Sequence, residues 1–209
     1  MGTTLATGIE SLDRELNGGL PEGSITVLEA PPGSQGQLIL HELTAARGTM
    51  WMSFARSEKA VETSLAESPA PTGDCTVKYM AGETPIDDVG KFLAAVPGGS
   101  NIILEPVDVL ESETEPRDYR NFLNELQEHL LERGSIAVLY CTRGRSSPGL
   151  RDTTKYFADV VLDLDTEYAK DDIENYLRVP KYRRGECPSG IIKLELKTGV
   201  SIDISRDIA

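Results

Sequence analysis

Apolar residues fall into two patterns along this chain: short continuous runs of strand length, and longer stripes spaced three or four apart. Ser24–Glu29, Trp51–Phe54, Asn101–Leu104, Ile136–Tyr140 and Val160–Leu164 are runs of the first kind and predict buried strands. Leu12 and Leu16 predict a short helix that opens near Ile9 or Glu10 and stops at Gly18 and Gly19. Leu38, Leu40, Leu43 and Ala46 predict a helix over Gln37–Arg47, and further helices fit Glu58–Glu67 and Ile86–Ala95. Tyr119, Phe122, Leu123, Leu126 and Leu130 form one face of a longer helix over Arg117–Arg133. Cys75–Tyr79 reads as a short strand, and Arg143–Arg151 as a polar, mobile loop. Strand, glycine-rich turn, helix and strand in succession predict an α/β fold with a mostly parallel central sheet flanked by helices. Tyr176–Val179, Ile191–Leu196 and Val200–Ile204 follow without intervening helices, so the C-terminal quarter reads as a β meander.

Composition narrows this picture. At 209 residues and 39% hydrophobic content the chain suits a single domain over residues 1–209, with a core of about 20–165 and a β extension of about 166–209. Cys75, Cys141 and Cys187 are odd in number and lack metal-ligand spacing, and neither His41 nor His129 has a companion ligand, so no metal site is expected. The apolar runs are too short to span a membrane and none resembles a signal peptide, which predicts a soluble, cytoplasmic protein. A net charge of -13 repels polyanions and weighs against nucleic acid as a partner. The same acidity suits a high-salt cytoplasm such as that of a halophilic archaeon, where screening relieves self-repulsion.

The candidate chemistry lies at Glu29-Ala30-Pro31-Pro32-Gly33-Ser34-Gln35-Gly36-Gln37-Leu38. A phosphate-binding loop of the pattern G-x-x-x-x-G-K-[ST] uses amides to cradle phosphates, a lysine to reach the β/γ oxygens and a hydroxyl to hold Mg²⁺. Here Gly36 holds the second glycine position, but Gln37 replaces the lysine and Leu38 the hydroxyl. Residues Gly33, Ser34, Gln35, Gly36, Gln37 and Leu38 therefore keep the layout of the loop without its reagents. Losing the lysine alone removes on the order of several kcal/mol of phosphate stabilisation, each ~1.4 kcal/mol being about tenfold in rate. Backbone amides and Gln37 still offer hydrogen bonds to an anion, so weak nucleotide binding is the alternative to an empty loop.

The run Thr7-Gly8-Ile9, Leu12-Asp13, Leu16-Asn17-Gly18-Gly19-Leu20-Pro21-Glu22-Gly23-Ser24 leads straight into this loop. It resembles the T-G-I-x-x-L-D-x-x-L-x-G-G-I-P-x-G-S string of the KaiC-like and RadA-like branch of the RecA ATPase superfamily. Ala158–Leu164 is similar to the A-D-x-V/I-x-x-L strand of that branch, and Leu177–Gly185 to its L-x-V-x-K-x-R-G segment. The resemblance implies a RecA-like P-loop NTPase fold, and in active relatives ATP with Mg²⁺ bound between subunits of a ring or filament.

Position by position, the resemblance implies loss of that chemistry. Where such proteins carry catalytic glutamates, this chain has Ala55 and Arg56, with Glu58 displaced by two or three positions. Glu105 follows the strand that should end in the metal-orienting aspartate and is a weak metal candidate without its hydroxyl partner. Lys181 and Arg183 match the lysine and arginine that reach a neighbouring subunit, and Arg184 adds a charge; solvation or pairing with surface carboxylates is the simpler reading of all three. The arginines of Thr142–Arg151 suit either surface solubility or a local phosphate contact. The expectation is a catalytically defective homologue without a cofactor, acting as a protein-binding or regulatory module with itself or with an active relative. The rival is a divergent ATP-binding protein or weak ATPase using Glu105, Glu58 or a residue in trans, accessory to recombination or signalling.

Overall fold

The computed structural model describes residues 2–80, 82, 85–168 and 172–203. The chain runs β1 (Thr4–Leu5), α1 (Glu10–Glu15), β2 (Leu20–Pro21), β3 (Ile25–Ala30), α2 (Gln37–Ala46), β4 (Thr49–Ser53), α3 (Glu58–Ala66), β5 (Cys75–Tyr79) and α4 (Pro85–Leu93). It continues through β6 (Asn101–Glu105), α5 (Asp108–Glu113), α6 (Pro116–Arg133), β7 (Ile136–Thr142), α7 (Arg151–Phe157), β8 (Val160–Tyr168), β9 (Ile173–Tyr182), β10 (Ile192–Leu196) and β11 (Val200–Ile202).

Among the described residues, nine strands form one sheet in the order β11-β10-β9-β8-β3-β7-β6-β4-β5. From β5 to β8 every neighbour is parallel, and from β8 to β11 every neighbour is antiparallel. The C-terminal strands thus extend the central sheet instead of forming a separate layer. Strand β3 is flanked by β7 and β8, and β7 alone separates it from β6.

Alternation along the strands sorts side chains into two cores. Leu28, Ala30, Ile103, Val138 and Trp51 pack with α1, α2 and α3 on one face, together with the inner residues of β9, β10 and β11. Ile25, Val27, Ile102, Leu104, Ala137 and Leu139 pack on the other face, where Tyr119, Phe122, Leu123, Leu126 and Leu130 supply the stripe of α6. Helix α6 begins with Pro116 in its first turn and ends at Gly134 in the left-handed conformation, a placement each residue favours.

The helices predicted over Gln37–Arg47, Glu58–Glu67, Ile86–Ala95 and Arg117–Arg133 are present within two residues at each end. Strands β8 and β9 extend well past the predicted Val160–Leu164 and Tyr176–Val179, because their outer residues pair with each other and need no apolar run. Of the predicted Val200–Ile204, the strand ends at Ile202 and Ile204 lies outside the described residues. Helices α5 and α7 carry too few apolar residues to have been legible in the sequence. Arg151, read as the end of a mobile loop, opens α7 and is buried.

Candidate functional site

The loop between β3 and α2 sits at the C-terminal edge of the parallel strands, the face on which open α/β sheets place their ligands. A local clasp in the N-terminal run seats it against α2. Thr7 donates its N–H to Asp13 Oδ1 at 2.7 Å and its hydroxyl to the same oxygen at 2.8 Å, while the Ile9 N–H bonds Thr7 Oγ1 at 3.1 Å. This clasp fixes Gly8 at φ +91°, where a Cβ would stand 2.7 Å from the Glu42 carbonyl oxygen in α2. At the opposite end, the buried Glu42 carboxylate accepts the Val200 N–H of β11, so α2 is held from both termini of the chain. Burial raises the Glu42 pKa, and the Val200 bond only partly opposes that rise.

Inside the loop, polar groups are turned onto one another. Ser34 donates its N–H to the Pro31 carbonyl at 3.0 Å and its hydroxyl to the same oxygen at 2.7 Å. Its Oγ in turn accepts the Gly36 N–H at 3.2 Å. Gly36 is required by space: a Cβ there would lie 2.9 Å from Ala30 Cβ and 3.3 Å from Leu164 Cδ2. Leu38 points into the core at 5% exposure, the burial expected of leucine, and offers no oxygen to a metal ion.

Gln37 and Glu105, far apart in sequence, meet across the site. Gln37 Nε2 donates to Glu105 Oε1 at 3.2 Å, and Glu105 is 4% exposed. Glu105 Oε2 is buried without a hydrogen bond, as is Trp51 Nε1. The Trp51 indole, though not hydrogen-bonded to it, acts to lower the Glu105 pKa. Burial is the larger influence and raises that pKa, with the Arg56 charge and the Gln37 bond offsetting it in part. Tyr140 stands over the same site beside Ser34; burial, followed by the Glu105 and Asp108 charges, pushes its phenol up to about 12.

Arg56 stands where an acid was expected. Its N–H bonds Ser53 Oγ at 3.1 Å and its guanidinium bonds the Ala60 carbonyl at 3.0 Å, folding it across the first turn of α3. The same charge, after burial, lowers the pKa of His41, whose Nδ1 lies 2.8 Å from Ser68 Oγ. Glu58 is aimed elsewhere, with its carboxylate accepting the Tyr79 N–H at 3.3 Å and lying 3.5 Å from Lys78 Nζ.

These groups do not suit a magnesium polyphosphate. No ammonium or hydroxyl stands at Gln37 or Leu38, the Gly36 amide is taken by Ser34, and Glu105 is bound to Gln37 with burial opposing its ionisation. Among the described residues, no group of three or more His, Cys, Asp or Glu side chains could hold a metal ion.

The three basic residues near the C-terminus turn back on their own chain. Lys181 Nζ donates to the Lys155 and Tyr156 carbonyls at 2.8 and 2.9 Å, which caps the last turn of α7. Arg183 bonds the Tyr156 carbonyl at 2.9 Å, and Arg184 the Gly23 carbonyl at 3.0 Å. Both guanidiniums also lie within 4 Å of Asp159, which accepts the Ile25 N–H at 3.1 Å. The two C-terminal segments that carry the resemblance therefore meet at Asp159, at the start of β3.

Sequence reasoning missed a buried charge cluster on the face of the sheet opposite α2, where α7 lies. Arg151, 3% exposed, pairs with Glu29 at 2.9 Å, Asp108 at 2.8 Å and Glu111 at 2.8 Å, and Lys155 adds a 2.6 Å contact to Glu29. Burial alone would lower the Arg151 pKa, but the Glu111 hydrogen bonds and surrounding charges raise it. Arg143 is likewise engaged by Asp163 at 2.7 Å. Two of the three arginines once open to a phosphate reading are thus neutralised within the chain. No local signal marks this cluster, since Arg151 meets Glu29 across 122 residues.

Among the described residues, no helix is long and apolar enough to cross a membrane. In overall fold the chain is similar to the crystal structure of a KaiC-like protein from the hyperthermophilic archaeon Pyrococcus horikoshii OT3, with a TM-score of 0.77 over 97% of this chain and 100% of that one. Sequence identity is 16%, so the likeness establishes the architecture, a RecA-like P-loop NTPase fold with helices on both faces of the sheet. No curated protein matches the sequence significantly. Residues 4–209 match DUF7125, a family of unknown function, and the chain belongs to that family.

Proposed function

We propose that this chain is a catalytically inert member of the KaiC-like group that works by binding another protein. The observation that carries the reading is the Gln37–Glu105 hydrogen bond, which joins the two positions where an active loop would hold phosphate and metal. A scaffold that keeps its fold while its reactive positions bond to each other is suited to recognition, not to phosphoryl transfer, which depends on positioned charge. The partner is a second copy or an active chain of the same fold, met through the face that carries Lys181, Arg183 and Arg184. Gly33–Leu38 serve that scaffold as a rigid turn, and the charge of -13 fits a salt-rich cytoplasm.

The test is to isolate the tagged chain from its own cells and measure the mass of the complex that comes with it. A stoichiometric assembly weakened by Lys181→Glu with Arg183→Glu supports the reading. A chain recovered alone that hydrolyses ATP would refute it.

A further inference from the structure

A groove of about 700 Å³ runs between the loop at Gly33–Gln35 and the C-terminal strands. Its most accessible apolar surface comes from the end of the β8–β9 pair. Tyr168 and Ile173 are directly opposed across the two strands, so their side chains share one face, and they are 70% and 59% exposed. The Tyr168 hydroxyl approaches the loop itself, 3.6 Å from where a Cβ on Gly33 would stand. Single exposed apolar residues are ordinary; here two stand side by side on a concave surface, where an apolar side chain of a partner could reach both.

The rim of the groove is acidic. Among the described residues, Asp172, Glu174, Glu195 and Asp203 face it beside Lys193 and Lys197, four carboxylates to two ammonium groups. Both lysines are held by rim carboxylates, Lys193 at 2.8 Å from Glu174 and Lys197 at 2.6 Å from Glu195. The lysine contacts to Glu174, followed by its bond from Tyr176, lower its pKa and keep it ionised. A net negative rim on a chain of charge -13 repels polyphosphates and anionic lipid and attracts cations.

We propose that this groove docks a basic, apolar-anchored segment of a partner protein. The segment sets leucine- or phenylalanine-like side chains against Tyr168 and Ile173, and arginine or lysine against Asp172, Glu174 and Glu195. This rests on the protein-binding reading above and adds to it a second surface, at the end of β9 away from Lys181, with its own partner chemistry. Apolar anchors supply the hold, and rim charges supply steering and orientation.

The test uses three labelled twelve-residue peptides, alternating Leu–Arg, Leu–Glu and Gly–Arg, titrated against the full chain by fluorescence anisotropy. The Leu–Arg peptide binds, and the other two do so at least about tenfold more weakly. Tyr168→Thr with Ile173→Thr, and separately Asp172→Lys with Glu195→Lys, each weaken Leu–Arg binding by about tenfold. Glu125→Lys with Glu128→Lys, on the outer side of α6 beyond the sheet, makes the same change in net charge and leaves binding unaltered. Thermal melts confirm that each variant is folded. Equal loss in the α6 variant would reveal diffuse attraction and overturn the proposal, as would a Tyr168/Ile173 variant that binds like wild type. Self-association of the wild type that this variant abolishes would place a second copy in the groove and equally overturn it. ATP turnover by the wild-type chain would overturn the functional reading alone, whereas failed peptide binding without turnover would overturn only the groove.

Discussion

At the residue scale, Glu105 is a buried acid whose ionisation the fold opposes. Its carboxyl is buried with one oxygen unbonded, and its folded-state pKa lies above the ordinary 4.5. A raised folded pKa favours the folded state below pH 4.5, and that advantage is lost as pH rises through the folded value. Glu105→Gln removes the ionisation and keeps an acceptor for Gln37, so its melting temperature should match wild type near pH 4 and exceed it at pH 7. Melts across that range would decide the point, and a constant difference would show that Glu105 does not titrate there. Gly8 is the second sensitive residue. Gly8→Ala places a Cβ 2.7 Å from a backbone oxygen at a φ of +91°, and should destabilise by about 1–3 kcal/mol in urea unfolding. The departure from the loop pattern at Gln37 and Leu38 is legible in the sequence because that pattern assigns a role to each position. The Gln37–Glu105 bond was not, because local spacing carries no information about a contact across 68 residues.

At the element scale, α2 and α7 are placed by different means. Helix α2 presents a plain apolar stripe that the sequence revealed. Helix α7 has almost none and is held by charge: Arg151 is enclosed by Glu29, Asp108 and Glu111, while Lys181 caps the C-terminal turn. Arg151→Met removes the central cation and leaves three carboxylates with one lysine, at a cost of about 3–5 kcal/mol. Equilibrium urea unfolding measures this directly, and a loss under about 1 kcal/mol would mean the cluster relaxes by taking up water. The contrast explains which helices sequence reading located: periodicity reports burial of apolar groups and is silent where an element is anchored by ion pairs. The same limit applies to β8 and β9, whose outer halves are held by pairing with each other.

At the scale of the whole molecule, two features dominate, the shared RecA-like architecture and the charge. A surplus of thirteen negative charges repels itself at low ionic strength. Raising salt from about 0.05 to about 1 M, which shortens the screening length to about 3 Å, should increase the melting temperature by several degrees. A flat or falling profile would place the stabilising ion pairs above the net repulsion. The fold itself was foreshadowed by the T-G-I-x-x-L-D run, whose Thr7 and Asp13 clasp the segment that packs on α2. The clasp serves packing whether or not the loop beside it takes phosphate, so the two roles of that region are separable. The account therefore turns on whether the loop still receives nucleotide. Calorimetric titration of the full chain with ATP and Mg²⁺ at high salt, followed by phosphate release, addresses this most directly. The expected result is no binding heat and no turnover, and micromolar binding accompanied by hydrolysis would contradict it.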